Sequence, residues 1–333
     1  MADEDLQKKS TRVSALIRII DVKADLSKNL KSLSNQILDD LEILFLVTDD
    51  SDSDNTINII KDYAKKDPRI KLVRTKTTDY GLIMNRAIKL ASGEYLTIID
   101  ANDYVDPEMF IELFALAKKH DADIVRSNYF ESVEEQDRLH ESFLKEDADK
   151  VISPAEDYTV FYQPPIIGSG LYKREYLLTE KISYIEDFGQ DPQDNGFNFK
   201  VIAAAEKLVI TEKAYLHHVE KKKKQIEKKA VFRINDQYAD IEKFLKSHNK
   251  WDQYSSIFEA NKFASFFLTM LCLDEEDLTP FILRTRAEFH DADERGLLSK
   301  KYFPKDHWKY LQSILKFPPR IFLSSLKKIR KRH

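Results

Sequence analysis

The chain has 333 residues, 42% of them hydrophobic, with 53 Lys and Arg against 57 Asp and Glu for a net charge of -4. That length buries one large core or two modest ones, and the balanced charge argues neither for nor against nucleic acid. A single cysteine, Cys272, excludes an internal disulfide and fits a reducing, cytoplasmic compartment; seven glycines leave neither a G-x-G-x-x-G nor a G-x-x-x-x-G-K-[ST] phosphate loop. The polar, acidic N-terminus is unlike a secretory signal, and no apolar run approaches the ~20 residues of a membrane span.

Residues 1–12 read as a disordered tail. VSALIRII (13–20) reads as a buried strand, and 25–39 as a helix with Leu26, Leu30, Leu33 and Ile37 on one face. LEILFLV (41–47) is a second strand, followed by the polar turn TDDSDSDNT (48–56) and a helix over 57–67. A strand at 70–74, a helix at 81–92 stopped by Gly93, and a strand at 94–100 come next. Asp106 and Pro107 make a cap and first-turn pair for a helix over 107–119, and ADIVRSNYF (122–130) is another strand. Such alternation implies an α/β fold, a mostly parallel sheet flanked by helices. Ligands of such sheets bind beyond the carboxyl ends of the strands. Both acidic turns, TDDSDSD and DANDYVD, lie at such ends and should rim one crevice.

After residue 150 the pattern loosens. Ser153-Pro154-Ala155-Glu156 has the spacing of a capping box, which predicts a helix start. A helix over roughly 196–206 leads into a strand ending near 210, and residues 228–333 are mostly helical by pattern. The chain therefore divides into a catalytic-type domain over 13–220 and a helical C-terminal extension over 221–333.

In this order the segments resemble family-2 glycosyltransferases of the GT-A, Rossmann-like fold, inverting enzymes that use nucleotide-activated sugars. The resemblance rests on VSALIRIID, on DDSDSDNT, on YAKKDPRIKLVR, on NRAIKLASGEYLTIIDANDYVDPEMF, on ADIVRSNY and on the downstream SGLYKREYL and QDNGFNFKVIAAAEKLVI. The C-terminal helices resemble those of a bacterial subgroup linked to capsule and surface polysaccharide. It implies a UDP-sugar or related donor, a saccharide or lipid-linked acceptor, and Mg²⁺ or Mn²⁺ to offset the charge of the departing diphosphate.

Carried over residue by residue, the resemblance gives Asp49 and Asp50 to the nucleoside and Asp100 to the sugar and ribose. Position 102, the expected metal ligand, is Asn102, whose amide oxygen can coordinate but carries no charge; Asp103 is placed to compensate, or merely shapes the turn. Asp194 of the Gln193–Asp194 pair is the general base, and it stands equally where a helix cap would. Gln193 and Gly168 fall on the acceptor side, Gly168 where the subgroup often has tryptophan. His217 is a candidate metal or diphosphate contact, or a structural histidine. Arg18, Ile19, Ile20 and Asp21 replace the family's Pro-x-Tyr-Asn, with Asp21 on the nucleotide side and Arg18 facing a phosphate or solvent. Lys221 to Lys224 replace an Asn-rich loop, as a clamp or as a solvated charge run. These departures sustain an alternative, a catalytically impaired scaffold or glycan-binding protein.

The last segment, RIFLSSLKKIRKRH (320–333), sets Ile321, Phe322, Leu326 and Ile329 against basic residues, which reads as a peripheral contact with the inner face of the cytoplasmic membrane or as an ordinary tail. No aromatic residues interleave those charges to stack on bases, so nucleic acid is not expected.

Overall fold

The structure is a computed structural model that describes residues 11–19, 26–48, 54–134, 136–143, 145–189, 193–219 and 228–330. Asp21, Asp49, Asp50 and Lys221–Lys224 lie outside the described residues. The chain divides into two compact units, one of Met1–Asp157 with Gln163–Lys221, the other of Tyr158–Tyr162 with Lys222–His333.

The first unit is built on ten strands among the described residues: β1 (Val13–Ile19), β2 (Leu41–Thr48), β3 (Ile70–Thr75), β4 (Tyr95–Asp100), β5 (Tyr104–Val105), β6 (Ile124–Val133), β7 (Gln136–His140), β8 (Val151–Ile152), β9 (Gly170–Lys173) and β10 (Leu208–Val219). Their order is β3-β2-β1-β4-β9-β6-β10-β5, with β7 on β6 and β8 on β10. β3, β2, β1 and β4 run parallel, as do β6 and β10, whereas β9 lies antiparallel between β4 and β6. β1 and β2 are buried at every position, which is why they read as mostly apolar runs, interrupted at Ser14, Arg18, Glu42 and Thr48, instead of alternating ones. The helices of this unit are α1 (Ser27–Ser34), α2 (Asp54–Lys66), α3 (Tyr80–Leu90), α4 (Met109–His120), α5 (Arg174–Thr179) and α6 (Asp194–Ala204).

Three elements depart from the sequence pattern. α1 ends at Ser34, not 39, and Ile37, counted on its apolar face, is 53% exposed. α4 begins at Met109, with no side-chain cap: Asp106 does not cap it, because its carboxylate turns to His217. Ser153–Glu156 forms a turn closed by Glu156 N–H donating to the Ser153 carbonyl, not a helix start.

In the second unit α7 (Lys228–Ser247), α8 (Trp251–Cys272), α9 (Glu275–Glu294), α10 (Lys305–Lys316) and α11 (Pro319–Arg330) pack on one another. The segment Tyr158–Tyr162 belongs here, its Phe161 carbonyl accepting from Asn261 Nδ2 at 3.0 Å. On α11, Phe322 and Leu326 are fully buried, and Arg330 donates to the last carbonyls of α8 at Met270 and Leu273. The apolar stripe expected to face a lipid surface is thus largely spent on packing, with Ile321 still exposed. No helix among the described residues is long and apolar enough to cross a membrane.

Candidate active site

The acidic turn after β4 is held from outside by α1. Asn29, fully buried, donates its amide to the carbonyls of Asp103 (2.8 Å) and Asp100 (3.3 Å). Gln36, just past the end of α1, donates to the Asp106 carbonyl at 2.7 Å. The turn itself closes through Asp103 N–H to the Asp100 carbonyl at 3.0 Å. The residues 100–106 are therefore fixed by backbone bonds, leaving their side chains to chemistry.

Asp100, Asp103, Gly168, Asp194, Tyr80 and His218 line one cleft at the carboxyl end of β4, floored by Ile98 and walled by Pro165–Ile167. Of the residues singled out in the sequence, the structure brings Asp100, Asp103, Gly168 and Asp194 together here. At Gly168 a Cβ would lie 3.0 Å from the Ile98 carbonyl oxygen, a tight contact that needs its neighbour to give by a few tenths of an ångström. A tryptophan at this position would therefore need the backbone to shift.

Asp103 is 3% exposed, accepting from Val219 N–H at 2.9 Å and meeting His218 Nδ1 at 3.0 Å. Burial raises its pKa; His218 and the Val219 bond oppose this, and Asp100 adds to it. His217, by contrast, does not line the cleft. Its ring is stacked between Tyr104 (4.3 Å) and Phe130 (4.7 Å), with Nδ1 on Asp137 (2.8 Å) and Nε2 on Asp106 (3.2 Å). The histidine that lines the cleft is His218. Successive residues of a strand face opposite ways, so only one of the pair can reach the cleft.

Gln193 also moves. It is 2% exposed, and its amide both donates to the Ile185 carbonyl (2.9 Å) and accepts from the Ile185 N–H (2.7 Å). Both ends of its amide are thus spent on the backbone of Ile185, ahead of α6. Asp194 is the first residue of α6, with Gln193 at the N-cap position, so it is not the cap itself. The positive end of a helix favours its carboxylate there.

Arg18 is buried at 6% exposure. Its guanidinium sits 4.3 Å from the Tyr80 ring centroid, and Nε and Nη1 have no hydrogen-bond partner among the described residues. Burial lowers its pKa, against the pull of Tyr80, Asp100, Asp194 and Asp79. The Tyr80 hydroxyl donates to Asp194 Oδ1 at 2.9 Å. Neither Tyr80 nor its contacts with Arg18 and Asp194 were legible in the sequence, though the Asp79-Tyr80-Gly81 start of α3 marks a capped turn.

Residues 14–175 match the model of glycosyl transferase family 2. The chain carries a family-2 glycosyltransferase domain. A putative glycosyltransferase of Bacillus subtilis (strain 168), EpsH, is 24% identical over 250 residues, covering 73% of this chain and 71% of that protein. Among solved structures, residues 1–349 of S. aureus TarS superpose with a TM-score of 0.68 at 16% identity, over 96% of this chain and 89% of that one. The same protein in complex with UDP-GlcNAc matches with a TM-score of 0.59 at 16% identity, over 91% of each chain. The fold is thus that of a GT-A glycosyltransferase, with a helical C-terminal region.

Enzymes of this kind typically use a divalent metal. The ligands expected for Mg²⁺ or Mn²⁺, namely Asn102, Asp103 and His217, do not converge here: His217 has both nitrogens on other carboxylates, Asp103 is buried on His218 and Val219, and Asn102 is uncharged. Among the described residues no three His, Cys, Asp or Glu side chains gather to hold an ion. These residues do not form a metal site. The cations that the described residues place in or beside the cleft are Arg18 and, when protonated, His218.

Proposed function

We propose that this glycosyltransferase is inverting and moves a sugar from a nucleoside-diphosphate sugar, UDP in the first instance, to a saccharide or lipid-linked acceptor of a cell-surface polysaccharide. The observation that carries the reading is the shared cleft, in which Asp194 and Asp100 stand on different elements, a helix start and a strand end. Asp100 holds the donor's sugar and ribose hydroxyls as an acceptor of their protons. Asp194 takes the proton of the acceptor hydroxyl as its oxygen bonds to the anomeric carbon. The carbon–oxygen bond to the diphosphate breaks on the opposite face, releasing the nucleoside diphosphate and inverting the carbon. A carboxylate is a weak base toward a sugar hydroxyl, so its contribution depends on position and partial burial. Work at the inner face of the cytoplasmic membrane suits a lipid-linked acceptor. The UDP-GlcNAc complex of the structural neighbour supports the choice of donor class.

The test is calorimetry with UDP and UDP-sugars, in Mn²⁺ and in EDTA, followed by donor turnover in wild type and Asp194→Asn. The variant should bind UDP as wild type does and lose turnover by about 10²–10⁴-fold. Equal turnover in both proteins removes Asp194 from the mechanism. No binding of any nucleotide, with or without Mn²⁺, would favour a non-catalytic scaffold.

A further inference from the structure

We propose that Tyr80 is a positioning residue for Asp194, with Arg18 held against its ring to strengthen the hydroxyl as a donor. This rests on the reading of Asp194 as the general base and adds to it the group that orients that base.

Three sets of contacts fix Tyr80. At the start of α3, Asp79 accepts from Leu82 N–H (2.8 Å) and from Gly189 N–H (2.6 Å), while Tyr80 N–H donates to the Gly189 carbonyl (2.6 Å). One turn on, Asn85 donates to the Tyr184 carbonyl (3.0 Å) and accepts from the Tyr184 N–H (2.8 Å). Between them, Gly81 lets the loop approach so closely that a Cβ would lie 1.9 Å from the Ile185 oxygen. The helix bearing Tyr80 and the loop leading to Asp194 are thus sewn together along their length. The Tyr184 ring completes the arrangement, edge-on to Tyr80 (5.1 Å) and stacked on Phe197 of α6 (4.3 Å).

A buried tyrosine hydroxyl needs only some acceptor. Elsewhere in this unit Tyr95, Tyr172 and Tyr176 donate to the backbone carbonyls of Ala122, Ile167 and Val201, whereas Tyr215 and Tyr104 donate to the carboxylates of Glu112 and Asp137, away from the cleft. Tyr80 instead meets a carboxylate that lines the cleft. The charge-assisted bond is stronger and holds the carboxylate in one orientation. A cation against the ring draws electron density from it, which makes the O–H a better donor. Arg18 is costly there, buried with two N–H groups that find no hydrogen-bond partner among the described residues. Core packing alone gives no reason to retain it. Among the described residues, the charges near Asp194 include Arg18, held against Tyr80 with Asp79 close to it, and Asp100, Asp103 and His218 around the cleft.

Tyr80→Phe removes one oxygen and keeps the ring. It should lower donor turnover about ten-fold with UDP affinity unchanged, and move the acid limb of the pH–rate profile upward. In an Asp194→Asn background the same substitution should cost nothing further. Independent of any turnover, ¹³C-carboxyl NMR of labelled aspartates, with Asp194 assigned by its absence in Asp194→Asn, should show Asp194 titrating at higher pH in Tyr80→Phe. Incorporating 3-fluorotyrosine at position 80, a stronger donor in the native ring, should move it to lower pH and covers a failure of the phenylalanine variant to fold. Unchanged titration in these variants, or an equal loss in the Asp194→Asn background, overturns the proposal. A shifted titration in a protein that turns over no donor supports the pairing and counts against the reaction alone.

Discussion

The parallel strands of the sheet begin and end in opposite chemistry. At their N-terminal ends Glu42 is buried, yet its carboxylate accepts from Ser14 Oγ (2.7 Å), Ser92 N–H (2.8 Å) and Lys71 Nζ (2.7 Å). Burial pushes its pKa up, but the Lys71 bond and then those of Ser92 and Ser14 outweigh it and hold it below the usual range. At the C-terminal ends the balance is reversed: burial wins at Asp103, and two N–H groups of Arg18 have no partner among the described residues. The same sheet therefore seals one edge with a satisfied charge cluster and leaves the other with charges that neighbours only partly meet. Unpaired buried charge is expensive, so where it persists a ligand or a reaction is the natural reason.

The comparison breaks most easily at Glu42. Glu42→Ala takes a partner from the buried Ser14 hydroxyl and from the part-buried Ser92 N–H and should cost about 3 kcal/mol, read as a fall in the denaturant midpoint. UDP affinity should not change, because the other edge is untouched. A Glu42→Ala protein of wild-type stability would show that the sealed edge contributes nothing. The sign of the pH dependence follows from the depressed pKa: the ionised form contributes stability above about 4.5, the unfolded value, and that contribution is lost as pH falls through the folded one. The penalty of Glu42→Gln should shrink accordingly in acid.

A third buried carboxylate sharpens the contrast from the helical unit. Glu259 of α8 has burial like that of Glu42 but lacks its partners; Oε2 has none among the described residues. Burial raises its pKa to about 7, with Lys262 opposing and Glu242 adding. Here the sign is opposite: stability is full below about 4.5 and is lost as pH rises through about 7. Glu259→Gln should therefore be near neutral at pH 4 and stabilising by about 2 kcal/mol at pH 8. A constant difference across that range, in urea unfolding curves, would mean the carboxyl stays ionised in the fold.

How much of this was legible in the sequence follows from which forces act locally. β1, β2 and β4 were readable because strands covered on both faces are mostly apolar; β3, exposed at Lys71 and Arg74, is not of that kind. Asp100 and Asp194 were reachable from strand-end and helix-start logic and from the family resemblance. The end of α1 was misplaced because Ile37 keeps the helical period after the chain has left the helix, and periodicity does not report exposure. His218 was passed over for His217 because alternation along β10 sets two histidines on opposite faces without saying which face is the cleft. The clamps by Asn29, Gln36 and Gln193 were invisible for another reason. Amides that pair with backbone 8 to 74 residues away leave no local pattern.

The smallest of the expected effects tests the open edge itself. Asp100→Asn keeps the size of the side chain and one acceptor oxygen but removes the charge that faces Arg18 across β1 and β4, where the two residues are register partners. If Asp100 binds donor hydroxyls, the loss of a charged acceptor should weaken UDP-sugar binding about ten-fold. The effect on UDP lacking the sugar should be smaller, because part of the contact is with the sugar. Folding stability should change little, since the carboxylate lies at an exposed strand end. The reverse result, a stability loss with unchanged donor affinity, would make Asp100 a structural counter-charge to Arg18. The two edges of the sheet would then differ in degree of satisfaction and not in purpose.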